Sequence, residues 1–234
     1  VISSADPLRV LEDYMAQFIP AEEPGLPVFH GGAVGYLSYD MVRFFESTIP
    51  APPPDQIGAP EMTYMIADTV VIFDHRFRKI QIVANAHIPE GEDPLAVYQT
   101  AADKLTGIIE RLSQPLATSP LEAFHRPPDT SVLEGATSNT TQAEYEEMVR
   151  RAKEYIVAGD IFQVVPSQRF EVPFEADPLH LYRALRHVNP SPYMFFLKLP
   201  DDLNIVGSSP EVHVRAINEK IEIRPIAGTR WRGA

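Results

Sequence analysis

The residues whose types and spacing suit chemistry best lie at positions 223–232, which read I-R-P-I-A-G-T-R-W-R. A run of alternating isoleucine and charge leads to Gly228 and Thr229, and Arg230 and Arg232 follow closely. Glycine permits close backbone approach, threonine supplies a hydroxyl group, and arginine binds anions. The pattern therefore predicts an anion-binding corner where a strand enters a loop.

Other chemically useful residues form no motif that identifies a reaction. The seven histidines show no metal-ligand spacing such as H-E-x-x-H, so we interpret them as surface or packing residues. The sequence contains no G-x-S-x-G nucleophile elbow and no P-loop. Gly31, Gly32 and Gly35 lack the spacing of a dinucleotide fingerprint, and they favour close strand packing over a ligand loop.

The composition limits the classes of partner and compartment. A net charge of −12 with scattered lysines and arginines argues against a nucleic-acid partner and against an anionic membrane. The absence of cysteine excludes disulfides, thiolate catalysis and cysteine-based zinc sites, and it fits a reducing compartment, which predicts a cytoplasmic protein. No apolar run approaches 18 residues, so we expect no membrane-spanning helix.

The elements that must position the anion-binding corner are helices interleaved with hairpins. Capping signals and apolar periodicity predict helices at residues 7–19, 94–112, 142–158 and 178–189. Alternating patterns predict strands within residues 62–73, 79–86, 161–170, 193–199, 203–207, 212–217 and 220–224. This arrangement favours an α+β fold with large antiparallel sheets over a doubly wound parallel sheet. Residues 113–140 are rich in proline, serine and threonine, which predicts a region 1–115, a linker 116–140 and a domain 141–234.

Five stretches resemble a known family. They are G-D-I-F-Q-V-V-P-S-Q-R-F at 159–170, N-P-S-P-Y-M-F-F at 189–196, G-S-S-P-E at 207–211, R-P-I-A-G-T-R at 224–230 and H-G-G-A-V-G-Y-L-S-Y-D at 30–40. Together they resemble the large subunits of anthranilate synthases, which are chorismate-utilising enzymes. The resemblance extends over nearly the whole chain. One departure is Trp231, where the family usually has proline.

The resemblance implies a fold and a reaction. The implied fold has orthogonally packed antiparallel sheets flanked by helices. The implied lyase reaction converts chorismate and ammonia to anthranilate and pyruvate with Mg²⁺, with ammonia supplied by a glutamine amidotransferase subunit and with feedback inhibition by L-tryptophan. In the family the Mg²⁺ carboxylates, a catalytic histidine and the main substrate arginine follow the G-T pair. No metal ligand is therefore predicted in this chain, which we expect to be the front portion of a longer protein.

Two positions discriminate between reactions within the family. Relatives that add water to chorismate have a lysine where Gln163 stands, and a neutral amide cannot remove a proton from water. Many aminodeoxychorismate synthases have a nucleophilic lysine where Ala227 stands, and alanine cannot attack the ring. Both residues favour direct attack by ammonia. Gly228 and Thr229 match the pair that contacts chorismate, whereas Glu211 is interpreted as structural rather than as a metal ligand.

The resemblance also assigns a tryptophan pocket. The matching residues are Asn189, Pro190, Pro192, Tyr193 and Met194, and an aromatic ring, a thioether and rigid prolines suit an indole side chain. The alternative reading is a helix end that leads into a core strand. An upstream family motif, L-L-E-S, is absent, so the second half of that pocket is missing.

Two other functions stay open. Some aminodeoxychorismate synthase component I proteins also carry alanine at the position of Ala227, so that activity is an alternative within the enzymes. A non-catalytic truncated fragment is an alternative of another class, and a half-fold of this kind is expected to expose large apolar sheet faces.

Overall fold

The computed structural model describes residues 2, 6–21, 23–115, 134–226 and 228. Within them lie four α-helices, one 3-10 helix and ten strands, and the strands pair as two-stranded sheets. This mixture of helices and antiparallel strands confirms the predicted α+β class. The chain divides into two compact units, Val1–Thr118 with Leu197–Ile205, and Ser119–Phe196 with Val206–Ala234. The predicted linker lies mostly outside the described residues, so its bounds stay a prediction.

The first unit contains two helices and two strand pairs. In chain order its elements are α1 (Pro7–Met15), β1 (Gly32–Leu37), the 3-10 helix Tyr39–Phe44, β2 (Met62–Ala67), β3 (Thr69–Asp74), β4 (Lys79–Ala84) and α2 (Pro94–Leu112). Both helices begin where an aspartate precedes a proline. The carboxylates of Asp6 and Asp93 accept hydrogen bonds from the amides of Arg9 and Leu95, each at 3.1 Å. Helix α1 ends at Met15, one turn earlier than predicted.

Gly35 in β1 lies where the backbone of β2 approaches closely. The two strands are antiparallel with Gly35 opposite Tyr64. A Cβ atom on Gly35 would lie 1.8 Å from the carbonyl oxygen of Thr63, so no side chain fits there. This agrees with the close strand packing that the glycine spacing predicts. The next hairpin pairs β3 with β4, and α2 packs on β4 with Ala101 buried.

The second unit contains two helices and three strand pairs. Its elements are β5 (Thr137–Ser138), α3 (Gln142–Ala158), β6 (Phe170–Glu171), α4 (Pro178–Val188), β7 (Tyr193–Lys198), β8 (Asn204–Ser209), β9 (Arg215–Ile217) and β10 (Lys220–Glu222), with the tip of the β7–β8 hairpin grouped in the first unit. Helix α3 begins with the predicted capping box between Thr141 and Glu144 and ends at Gly159, whose φ is +82°. Helix α4 contacts β7 where the rings of Tyr182 and Phe196 stack, with centroids 6.1 Å apart.

The predicted strand at residues 161–170 is mostly wrong. Only Phe170 and Glu171 join a ladder, opposite Ser138 and Thr137. The preceding residues are irregular, and Pro166 has no amide hydrogen to donate to a neighbouring strand. An alternating apolar pattern forms a strand only where a partner strand lies beside it. Within the described residues, no strand pairs with residues 161–169.

Burial is sparse among the described residues. Of their hydrophobic side chains, only Met41, Ala101 and Leu199 are fully buried. Ile221 in β10 is 76% exposed, and Ile223, directly after this strand, is 64% exposed. A two-stranded hairpin with an uncovered apolar face is marginally stable on its own. The described residues therefore leave these apolar side chains uncovered.

Candidate functional site

Three of the five stretches that carry the resemblance meet in the second unit. The hydroxyl of Ser208 donates to the carbonyl oxygen of Asn189 at 2.7 Å, which ties G-S-S-P-E to N-P-S-P-Y. The carboxylate of Glu211 accepts a hydrogen bond from the amide of Ile226 at 3.1 Å, which ties G-S-S-P-E to R-P-I-A-G. Residues far apart in sequence are thus held together by side-chain contacts to the backbone.

Local packing and hydrogen bonds fix the backbone of the G-S-S-P-E stretch at residues 207–211. A Cβ atom on Gly207 would lie 2.1 Å from the ring of Phe195, so a larger residue here would have to displace this ring. The hydroxyl of Ser209 donates to the carbonyl of Glu211 at 2.9 Å and accepts from its amide at 3.3 Å. This turn fixes the backbone of Glu211 and directs its carboxylate to the amide of Ile226. The structural interpretation of Glu211 is therefore supported by a specific contact.

Gly228 is the one residue of the Gly228–Thr229 pair in the anion-binding corner that the structure describes. Among the described residues, no atom lies within 4 Å of a Cβ atom added to Gly228. Glycine at this position permits close approach of a ligand to the backbone. Ala227, Thr229, Arg230 and Arg232 lie outside the described residues, and their roles stay predictions.

Gln163 lies in the irregular stretch before β6. Its side chain is exposed, and within the described residues it makes no hydrogen bond. The stretch is anchored further on, where the amide of Arg169 donates to the side-chain oxygen of Asn139 at 2.9 Å and the Gln168 side chain donates to the hydroxyl of Ser138 at 2.9 Å. Within the described residues no hydrogen bond joins Gln163 to Gly228.

The residues predicted to contact tryptophan surround the turn between α4 and β7. Asn189 ends α4, with its amide donating to the carbonyl of Leu185 at 2.8 Å. Pro190 and Pro192 are exposed, whereas Tyr193 and Met194 are half-buried at the start of β7. Consecutive residues of a strand point to opposite faces, so Tyr193 and Met194 serve different surfaces.

Two arginines and one glutamate lie close together near this turn. A guanidinium nitrogen of Arg215 lies 3.5 Å from the hydroxyl of Tyr193 and another lies 3.8 Å from the carboxylate of Glu222. The same carboxylate accepts from Arg224 at 2.6 Å. The single carboxylate of Glu222 therefore offsets only one of the two positive charges. Sequence reasoning missed the contacts of Arg215, and only the alternation of charge and isoleucine along β10 hinted at them.

Metal ligation and membrane insertion find no support in this part of the chain. The described residues contain no group of three or more histidine, aspartate or glutamate side chains that could hold a metal ion. None of the described helices is long and apolar enough to cross a membrane.

Comparisons with known proteins give a consistent assignment. A family model for chorismate binding enzymes matches residues 3–234. Anthranilate synthase component 1 of Pseudomonas aeruginosa is 42% identical over 234 residues, and the match covers 98% of this chain and 45% of that protein. The Saccharomyces cerevisiae component 1 is 40% identical over 231 residues, with the same two coverages. The chain thus spans less than half the length of these curated relatives.

A solved structure supports the same fold. The crystal structure of anthranilate synthase component I from Streptococcus pneumoniae is similar with a TM-score of 0.68 and 32% sequence identity. The similarity covers 91% of this chain and 45% of that one. The fold implied by the five stretches is therefore confirmed.

Proposed function

The chain belongs to the family of chorismate binding enzymes, and on that premise we propose that it forms one wall of an active site of the anthranilate synthase type. The proposed reaction is a lyase reaction that converts chorismate and ammonia to anthranilate and pyruvate. The observation that carries the proposal is the linkage of N-P-S-P-Y, G-S-S-P-E and R-P-I-A-G through Ser208 and Glu211. The contact of Glu211 lies two residues before Gly228, and no other described residue crowds the position of Gly228.

Residue chemistry supports ammonia as the nucleophile. Gln163 is a neutral amide, so it cannot act as a general base toward water. Ala227 has no group that could attack the ring. Ammonia is a stronger nucleophile than water and therefore requires neither function. Within this proposal the two residues exclude competing chemistry, and Gly228 with Thr229 positions the substrate.

The proposal includes Mg²⁺ without assigning its ligands. The described residues do not fit such a site, because they contain no cluster of metal-binding side chains and the carboxylate of Glu211 is bound to a backbone amide. We therefore derive no step of the reaction through the metal. The requirement for Mg²⁺ rests on the family resemblance alone.

Two protein-level proposals accompany the reaction. The relatives are named component 1, which supports a second component, and we propose a glutamine amidotransferase subunit as the source of ammonia. Tryptophan feedback is proposed at Asn189, Pro190, Pro192, Tyr193 and Met194 on the basis of the family resemblance. Because Tyr193 and Met194 point to opposite faces of β7, only one of these two side chains can line a given pocket. A cytoplasmic location is proposed on the absence of cysteine.

The exposed apolar faces bear on whether the chain acts alone. Ile221 and Ile223 are mostly exposed on a two-stranded hairpin, and Phe162 is 94% exposed beside Gln163. Faces of this kind require further protein to cover them. We therefore propose that the 234-residue chain does not turn over chorismate until a complementary portion covers these faces.

A complementation assay tests the proposal. The chain is co-expressed with the portion of the Pseudomonas aeruginosa component 1 that it does not match, and anthranilate fluorescence is followed with chorismate, ammonium and Mg²⁺. We expect anthranilate from the co-expressed pair and none from the chain alone. Gly228→Val should raise the KM for chorismate roughly tenfold, which corresponds to about 1.4 kcal/mol of lost binding.

The controls separate the alternatives. Gly107→Ala, on α2 where a Cβ meets no atom within 4 Å, should leave the KM unchanged. Accumulation of aminodeoxychorismate instead of anthranilate would show that the pair is an aminodeoxychorismate synthase. A correctly folded pair that forms no product from chorismate would overturn the proposal.

A further inference from the structure

Arg215 in β9 shares a single carboxylate with Arg224 and receives the smaller part of it. The Oε1 atom of Glu222 accepts a hydrogen bond from the Nε atom of Arg224 at 2.6 Å, and a second nitrogen of Arg224 contacts the same oxygen. The other oxygen, Oε2, lies 3.8 Å from the nearest nitrogen of Arg215, which is beyond hydrogen-bond length. Glu222 is therefore paired mainly with Arg224, and Arg215 keeps most of its positive charge.

The guanidinium of Arg215 lies beside the hydroxyl of Tyr193. It donates to this oxygen across 3.5 Å, which is a long hydrogen bond. The hydroxyl hydrogen of Tyr193 remains available for a second acceptor. A guanidinium has five N–H donors in a planar fork that matches the two oxygens of a carboxylate. Arg215 and Tyr193 together can therefore donate to one carboxylate.

The two faces of β7 have different surroundings. Consecutive side chains of a strand point to opposite faces, so Met194 shares one face with Phe196, and Tyr193 shares the other with Phe195. The ring of Phe196 stacks on Tyr182, which places α4 against the Met194 face. The contact with Arg215 is made from the Tyr193 face. The under-compensated cation thus belongs to the face that points away from α4.

The Tyr193 face also presents an aromatic surface. Phe195 is 41% exposed, and its ring lies against Gly207 in the paired strand β8, where a Cβ atom would be 2.1 Å from the ring. The ring is therefore supported by the backbone of β8 and remains partly open to a ligand. Aromatic rings favour stacked or edge-to-face contacts with a second aromatic ring. A cation, a hydroxyl and an open ring together match an aromatic carboxylic acid.

We propose that Arg215 and Tyr193 bind the carboxylate of an aromatic amino acid, with the ring of that ligand against Phe195. This inference rests on the proposed feedback by L-tryptophan, and it adds Arg215 to the residues that the resemblance assigns. It also places the ligand on the Tyr193 face of β7 rather than on the Met194 face. A free amino acid is a zwitterion without net charge at neutral pH, so the chain's net charge of −12 does not repel it.

Two ligands that differ in the carboxylate test the role of Arg215. Ligand-observed NMR measures the Kd of the 234-residue chain for L-tryptophan and for tryptamine, which lacks the carboxylate. Arg215→Met should raise the Kd for L-tryptophan about tenfold and leave the Kd for tryptamine unchanged. Arg151→Met removes an exposed arginine from α3 and is the matched control, which should change neither Kd.

A change of opposite sign tests the charge balance. Glu222→Gln removes the carboxylate that partly offsets Arg215, so it should lower the Kd for L-tryptophan about threefold. The same change should not strengthen the binding of tryptamine, because tryptamine is a cation. Circular dichroism of each variant verifies that it folds. Equal losses of affinity for both ligands in Arg215→Met would show a structural role and overturn the carboxylate assignment.

Intermolecular nuclear Overhauser effects locate the ring of the bound ligand. We expect them between the indole protons of L-tryptophan and the ring of Phe195, whereas effects to the methyl group of Met194 instead would contradict the assigned face. Failure of the unmodified chain to bind L-tryptophan, or its displacement from Phe195 by an equal concentration of chorismate, would also overturn the proposal. None of these measurements requires anthranilate formation, so their failure is distinguishable from failure of the proposed reaction.

Discussion

The hydrogen bond from Ile226 to Glu211 is the contact on which the proposed wall of the active site depends most. It joins the turn after β8 to the segment that leads into Gly228. Glu211→Ala removes the acceptor and leaves the rest of that turn intact, because Ser209 bonds only the backbone of residue 211. We expect the segment at residues 224–228 to open more often in this variant.

The structure sets the magnitude of this effect. A hydrogen bond to a charged acceptor contributes about 1.5–3 kcal/mol when it is shielded from water. Ile226 is 56% exposed, so water competes and a value of about 1 kcal/mol is appropriate. This free energy corresponds to a roughly fivefold change in an opening equilibrium. Glu211→Gln retains a neutral acceptor and should show about half the loss in free energy.

Hydrogen exchange measures the opening at the amide of Ile226. We expect exchange about fivefold faster in Glu211→Ala than in the unmodified chain, with Glu211→Gln between the two. Glu154→Ala, which removes an exposed carboxylate from α3, is the matched control and should leave this amide unchanged. Equal exchange rates in Glu211→Ala and the unmodified chain would refute the assigned role of Glu211.

Three further predictions concern the elements that support the site. Gly35→Ala should cost about 3 kcal/mol or more in urea denaturation, because its Cβ meets the backbone of β2, whereas Gly107→Ala should add about 0.5–1 kcal/mol by favouring helix. Thr141→Ala should cost about 1 kcal/mol by removing the cap of α3, measured in the same way. The pKa of Asp68 is lowered in the folded state, so its ion pair with Lys104 stabilises the fold above pH 3.8. This contribution is lost as the pH falls through the folded-state pKa of Asp68. Lys104→Met removes the ion pair, and an NMR titration should show a higher pKa for Asp68 in this variant.

Features encoded by neighbouring residues were predictable from the sequence. The starts of α1, α2 and α4 follow from an aspartate before a proline, and the start of α3 follows from a capping box. The turn at Asn218 and Glu219, both at positive φ, follows from polar residues between two alternating runs. Each of these signals lies within four residues of the structure it determines.

Features that depend on distant residues were not predictable in the same way. The stretch at 161–170 has the alternation of a strand, but a strand also requires a partner that its own sequence cannot supply. The contacts of Ser208 with Asn189 and of Glu211 with Ile226 join residues 19 and 15 positions apart. Composition and periodicity carry no information about such pairs. The family resemblance assigned the stretches to different roles and did not predict these contacts between them.

The described contacts also limit what this part of the site contributes to the proposed reaction. The carboxylate of Glu211 is occupied by a backbone amide, Gln163 is a neutral amide and Gly228 offers only space. Glu222 lies beside both Arg215 and Arg224, and its single carboxylate offsets only one of their two positive charges. These residues are suited to shape and positioning rather than to proton transfer. That division fits a nucleophile such as ammonia, which needs alignment with the ring more than it needs a base.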